Sequence, residues 1–225
     1  MRKRTIDRQI KYLQQNRELR SSFFEGKACL MCGETDTEVF ECDHLGDKKA
    51  SVSSMLGRYS KAKIAEEIAK CQILCANCHS IKTQADVNSF RHQFVLYENF
   101  KGTKASIDRK KWYVINHLLK NPCVQCNLVD IRCLEFDHLD RAKKYKNVSY
   151  IMHHHTLEAL QTEMEKCRVL CRNCHCRHTN TQRLEDKNST LESNAQNLHA
   201  EIESVIHPTQ TSAPPLIDNP IHSDQ

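Results

Sequence analysis

One arrangement of residues occurs twice in this chain, and that repetition limits its folds more than any other feature. Cys29, Cys32, Asp43 and His44 recur 94 residues later as Cys123, Cys126, Asp137 and His138. Cys71, Cys75, Cys78 and His79 recur 96 residues later as Cys167, Cys171, Cys174 and His175. Upstream, "TIDRQIKYL" (5–13) is matched by "SIDRKKWYV" (106–114). A tandem duplication of one small unit follows. The chain divides into a first unit, 1–104, a second, 105–182, and an acidic tail, 183–225.

The two copies serve as each other's substitution record. Cys42 aligns with Phe136 and Cys133 with Val39, so both are apolar packing positions. Cys71 and Cys167 extend helical stripes, Ile64–Ile68–Cys71 and Leu160–Met164–Cys167, and read as core, since a free Cys behaves as a small hydrophobe. Cys176 aligns with Ser80. Eight of the 13 cysteines remain, in two quartets of the form C-x2-C, long gap, C-x2-C. They are Cys29, Cys32, Cys75 and Cys78, then Cys123, Cys126, Cys171 and Cys174. Two such knuckles offer the tetrahedral thiolate shell that a structural Zn²⁺ prefers. A redox role is disfavoured, because nothing around these pairs resembles a βαβ unit.

Composition supports a metal staple. Aromatic residues make up only 6% of the chain and its mean hydropathy is −0.64, too little apolar mass for two small cores to stand alone. The charged N-terminal stretch has no apolar leader segment, and no run approaches the ~20 apolar residues of a membrane span. The expectation is an intracellular protein, cytoplasmic or nuclear, with metal-bound cysteines rather than disulfides. Residues 181–225 carry two basic and seven acidic side chains, a net of −5. The other 180 residues carry 31 basic and 21 acidic, a net of +10. A basic body suits a polyanion, with nucleic acid the leading partner.

The hydrophobic pattern predicts an α+β chain. An amphipathic helix opens each unit (about 6–19 and 107–119). A short strand, "EVFEC" or "RCLEF", runs up to Asp-His, followed by a basic loop and a helix capped by Ser60 or Thr156. A second strand, "QIL" or "RVL", leads into the second knuckle, where a helix begins with His79 or His175 in its first turn. Helix continues through 181–205, and the segment from His207 onward reads as a disordered tail.

Four thiolates saturate each zinc, so Asp43–His44 and Asp137–His138 are surplus to it. A strand end and a zinc-pinned helix start should bring Asp, His and the later His to one point. A carboxylate and a neutral imidazole suit a divalent cation that stabilises charge on a phosphodiester, and a second imidazole suits proton transfer from water near neutral pH.

These residues resemble the HNH endonucleases, through "CLMC … ECDHL … LCANCHSIKT" and "CVQC … EFDHL … LCRNCHCRHT" over roughly 27–85 and 121–181. The resemblance implies two tandem zinc-stapled ββα-metal units with additional helices. It implies Asp43, His79, Asp137 and His175 as ligands of Mg²⁺ or another divalent cation, His44 and His138 as general bases, and the quartets as zinc sites. The family's middle Asn is replaced by Lys70 and Lys166, which leaves the third catalytic-metal ligand unassigned. Asn77 and Asn173 are expected to cap the following helix, and Glu41 and Glu135 to support the site or face solvent. Lys48, Lys49, Lys143 and Lys144 flank the Asp-His loops and are expected to contact phosphate. "HHH" at 153–155 has no counterpart in the first copy and reads as a solvated turn.

The sequence therefore reads as a metal-dependent endonuclease of double-stranded DNA, monomeric because of its duplication, with one site available for each strand. The alternative is a non-catalytic, zinc-stabilised nucleic-acid-binding protein.

Overall fold

In each copy the alternating residues around Asp-His form one strand of a two-stranded antiparallel sheet. Strand β1 (Phe40–His44) pairs with β2 (Cys71–Cys75), placing Phe40 opposite Cys75 and His44 opposite Cys71. Strand β3 (Leu134–His138) pairs with β4 (Cys167–Cys171) in the same register. The computed structural model describes residues 14–15, 18–99, 101–102 and 104–206. Within it the helices are α1 (Val52–Met55), α2 (Lys61–Ile68), α3 (Ala76–Asp86), α4 (Phe90–Tyr97), α5 (Ala105–Lys120), α6 (Val148–His154), α7 (Leu157–Met164) and α8 (Arg172–Ile206). The architecture is mixed helix and small sheet, as the pattern predicts.

Two boundaries differ from that prediction. The first strand of each copy starts two residues late and contains Asp-His instead of stopping before it. In copy 1 the reason is local: the Asp36 carboxylate accepts from the Glu38 amide and turns Thr37–Val39 into a 3-10 segment. The opening helix of copy 2 runs from Ala105 to Lys120, slightly longer than expected. Of the helix expected at 6–19, residues 1–13, 16 and 17 lie outside the described residues. Residues 18–24 are helical and bring Phe24 onto the sheet. The caps at Ser60 and Thr156 form as predicted, accepting from the Lys63 and Ala159 amides.

Side chains alternate across each strand, which decides what the site can use. In copy 1, Phe40 packs into a core with Phe24, Val39, Ile73 and Leu74, and Cys42 lies against it. Val52, Met55, Ile64 and Ile68 form the adjoining cluster beneath the inserted helices. In copy 2 a single cluster joins Val114, Ile115 and Leu118 of α5 to Leu134, Leu160 and Leu170. Cys71 and Cys167 pack against these clusters, and Cys133 is buried. Cys176 packs on the core of copy 1, not its own.

That crossing is general, and both copies belong to one compact unit, residues 1–180. Arg91 of α4 donates to the Ile131 and Leu134 carbonyls of copy 2. Arg177 of α8 binds Asp36 and Glu34 of copy 1. At the centre, the Asn77 amide N–H donates to Asn173 Oδ1 at 2.9 Å and the Asn173 N–H donates to Asn77 Oδ1 at 3.0 Å. Each asparagine thus caps the helix of the other copy, not the one it belongs to. Asn173→Ala removes a buried acceptor and strands an amide, which should cost about 1–3 kcal/mol in a denaturant titration. A cost below a few tenths would mean that water replaces the cap.

Residues 181–225 form the second unit, in which 181–206 is helical. The tail expected from His207 onward lies outside the described residues. Among the described residues, no helix is long and apolar enough to cross a membrane.

Candidate metal centres and the Asp-His site

Each first knuckle turns at a residue in the left-handed region, Gly33 (φ 76°) in copy 1 and Asn127 (φ 59°) at the matching position in copy 2. The Gly33 and Asn127 amides close the turn on the Cys29 and Cys123 carbonyls. Leu30 and Val124 then dock the knuckle on the second strand, donating to the Ile73 and Val169 carbonyls. The second knuckle spans the strand-to-helix junction, and Cys75 and Cys171 Sγ accept from the Cys78 and Cys174 amides. All four Sγ atoms of each quartet lie within 4.8 Å of one another. Cys32–Cys75 and Cys126–Cys171 are each separated by 3.7 Å. A tetrahedron with Zn–S bonds of about 2.3 Å has edges of about 3.8 Å, so the donors fit zinc.

The electrostatics agree. Burial opposes ionisation of Cys29 and Cys123, yet backbone N–H groups, those of the knuckle included, bring both down to about 7. Burial and the neighbouring sulfurs push Cys78 and Cys174 well above the ordinary thiol value. Without a cation four thiolates cannot coexist there; a divalent ion removes the conflict. Each quartet could therefore hold one structural zinc ion. Asn77 Nδ2 also donates to Cys171 Sγ at 3.5 Å, linking one copy's helix to the other copy's quartet.

The knuckle helix presents its histidine to one face of the strand. His79 Nε2 lies 3.5 Å from Asp43 Oδ1, and His175 Nε2 lies 3.5 Å from Asp137 Oδ1. The opposite ring nitrogen is held by a carboxylate two residues before the aspartate: His79 Nδ1 by Glu41, and His175 Nδ1 by Glu135 at 2.7 Å. Glu135 raises His175 above the usual imidazole value, and burial only partly offsets it. The cross-strand neighbour orients each aspartate: Gln72 Nε2 donates to Asp43 Oδ2 at 2.6 Å and Arg168 Nε to Asp137 Oδ2 at 2.9 Å. One guanidinium serves both copies, with Arg172 reaching Glu41 at 3.0 Å and Glu135 at 2.9 Å.

The adjacent histidine does not join this group. Neighbouring strand residues face opposite sides, so His44 and His138 turn away from the aspartate beside them. His44 Nε2 donates to Glu67 Oε1 at 3.0 Å, and His138 Nε2 to Glu163 Oε1 at 2.8 Å. Both imidazoles are only 7% exposed. The expectation that Asp, His and the later His converge is therefore met for Asp and the later His alone. Lys70 and Lys166 pair with the same glutamates at 3.0 and 2.7 Å. The Lys49 amide in copy 1 and the Tyr145 amide in copy 2 also donate to them. Burial would raise Glu67 and Glu163, but these hydrogen bonds hold both near about 2.

Lys48, Lys49, Lys143 and Lys144 are exposed, on loops whose Lys49 and Ala50 amides in copy 1, and Tyr145 and Lys146 amides in copy 2, donate to the glutamate that holds the histidine. The triple histidine is not a turn: His153 and His154 end α6, His155 caps it, and His154 stacks on Tyr150 with ring centres 4.4 Å apart. Glu67 and Glu163 escaped the sequence reading, although they match at the 96-residue offset inside otherwise apolar helix stripes. Arg172 left no such signal, because its counterpart is Ala76.

Fold and site together define a mixed α and β protein with two tetracysteine clusters that could hold zinc and two histidine–carboxylate centres built alongside them. No family model matches the chain, and neither the curated proteins nor the solved structures contain a match.

Proposed function

We propose that this chain is a metal-dependent endonuclease of DNA, built from two tandem HNH-like ββα-metal units stapled by zinc. The observation that carries the reading is the 3.5 Å contact between the aspartate and the knuckle histidine, repeated in both copies, with a second, carboxylate-held histidine next along the strand. Asp43 with His79, and Asp137 with His175, would hold the catalytic divalent cation, which supplies charge neutralisation at the phosphate and leaving oxygen when bound. The remaining steps belong to the chain. Glu67 and Glu163 accept the Nε2 proton of His44 and His138, fixing the tautomer whose Nδ1 lone pair is free to receive a proton. Water transfers a proton to that nitrogen as its oxygen attacks phosphorus and the P–O bond to the leaving oxygen breaks. The carboxylate then stabilises the imidazolium. Among the described residues, no hydrogen bond is made by the Nδ1 of His44 or His138.

A second reading, a zinc-stabilised nucleic-acid-binding protein without catalysis, draws support from two contacts. Lys82 Nζ lies 3.4 Å from Asp43 Oδ1, and Arg168 occupies one oxygen of Asp137. In either reading double-stranded DNA is the partner, met by the exposed lysine loops.

The test is incubation of supercoiled plasmid with the zinc-loaded chain, with and without Mg²⁺ or Mn²⁺. Cation-dependent nicking or linearisation supports the nuclease; DNA binding without any cleavage supports the second reading. Neutralising Lys48, Lys49, Lys143 and Lys144 should weaken binding and reduce the slope of log K against log salt by about 0.9 for each phosphate left without its lysine. An unchanged slope would make these loops solvated surface.

A further inference from the structure

Beside the aspartate the two copies differ in one decisive way. Three residues after His175 stands His178; three residues after His79 stands Lys82. Residues three apart share a helix face, so both side chains return to the same carboxylate as the knuckle histidine. In copy 2, Asp137 meets two imidazoles, with His175 Nε2 3.5 Å from Oδ1 and His178 Nε2 3.7 Å from Oδ2. In copy 1, Asp43 Oδ1 meets one imidazole and the Lys82 ammonium at 3.4 Å. Lys82 is itself anchored by Asp86 at 3.1 Å.

We propose that the chain binds one divalent transition-metal ion tightly beyond its zinc quartets, at Asp137, His175 and His178, and that copy 1, where Lys82 stands in place of the third ligand, holds an ion at Asp43 and His79 only weakly. The proposal rests on the reading of Asp137 and His175 as metal ligands but not on cleavage. Its chemistry follows from the donors. Two imidazoles and one carboxylate form a three-ligand set with positions left open, suited to ions such as Zn²⁺ or Ni²⁺ that accept nitrogen. Mg²⁺ takes oxygen ligands and keeps its waters. An ammonium has no lone pair to give and repels a dication, so Lys82 acts against binding in copy 1. His178 fills the place of the third ligand that the sequence left unassigned. Among the described residues only the cysteine quartets hold three ligand atoms within 4.8 Å of one another. The imidazoles must therefore draw in from contact with two different carboxylate oxygens: His175 and His178 are half-buried side chains, whereas Asp137 is buried. Arg168 holds Oδ2, the oxygen that His178 also approaches, as Gln72 holds Oδ2 of Asp43; Oδ1 is left to His175, so the ion would bind through Oδ1 and His178 would turn toward it.

The experiment is calorimetric titration of the zinc-loaded full chain with Ni²⁺, in a His153→Ala, His154→Ala background so that the exposed cluster on α6 contributes nothing. One tightly bound Ni²⁺ per chain is expected. His178→Lys should weaken it by roughly 100-fold or more, and Lys82→His should raise the count to two. Binding that survives His178→Lys unchanged, two equal Ni²⁺ sites in the starting chain, or a count that stays at one in Lys82→His would each overturn the proposal. Plasmid cleavage separates this result from the nuclease reading. One Ni²⁺ bound as expected without cleavage under any cation sinks the nuclease and keeps the site; cation-dependent cleavage with Ni²⁺ binding indifferent to His178 sinks the site and keeps the nuclease.

Discussion

Removal of zinc should abolish the fold of both copies, not merely loosen one. Binding of structural zinc to small domains is worth roughly 10–16 kcal/mol, at least as large as the ~5–15 kcal/mol net stability of a whole domain. Here the first knuckle docks on the second strand and the second knuckle starts the central helix, so the sheet, the helix and the Asp–His contact all depend on the quartet. The copies also cap one another through Asn77 and Asn173, and Asn77 donates to a cysteine of the opposite quartet. Cys75→Ser alone should therefore destabilise copy 2 as well. Metal analysis should give two zinc ions per chain, and a strong chelator should eliminate the cooperative melting transition. Cys42→Val and Cys133→Val should keep both ions, since these residues pack in the cores. One zinc or none, or melting indifferent to chelation, would overturn the quartet assignment.

If the chain is the nuclease proposed, replacement of His44 and His138 should affect cleavage unequally. Loss of a general base typically costs ~10²–10⁴ in rate. Given the ammonium beside Asp43 and the second imidazole beside Asp137, most turnover should run through copy 2. His138→Ala should lower plasmid cleavage by ~10²–10⁴, and His44→Ala should leave most of it. Glu163→Gln tests the tautomer argument: it preserves shape but removes the charge that supports an imidazolium, so it should lower kcat with KM little changed. Equal losses from His44→Ala and His138→Ala would show two equivalent sites, each serving one strand as the duplication first suggests. Cleavage unaffected by both changes together would remove these histidines from the reaction.

How much of this was legible follows from which residues repeat. The quartets could be read because the copies keep cysteine at five aligned positions and exchange it for Phe, Val or Ser at three others, and the kept pair Cys71 and Cys167 falls on apolar helix stripes. The order strand, insertion, strand, helix could be read from periodicity and from the capping residues Ser60 and Thr156. The direction of His44 and His138 could also have been read, since adjacent strand residues must face opposite sides, but convergence of Asp, His and the later His ignored that alternation. Glu67 and Glu163 were hidden because a carboxylate on an apolar helix stripe looks like an exposed edge until its partner is known. Both are buried, each held by a lysine, backbone amides and an imidazole. What no pattern within one copy could reveal is the contact between copies. Arg172 bridging Glu41 and Glu135, and the exchanged asparagine caps, arise only when the two units pack face to face.

The most direct test changes the carboxylates alone. Asp43→Asn and Asp137→Asn are near-isosteric, lie outside both quartets and leave the lysine loops intact. The double variant should be prepared with two zinc ions and compared with the unaltered chain on supercoiled plasmid over a Mn²⁺ titration. The expected result is retained zinc, retained DNA binding and loss of cation-dependent cleavage. Cleavage at the unaltered rate and with the same Mn²⁺ dependence would contradict the assignment of these histidine–aspartate centres as the nuclease site.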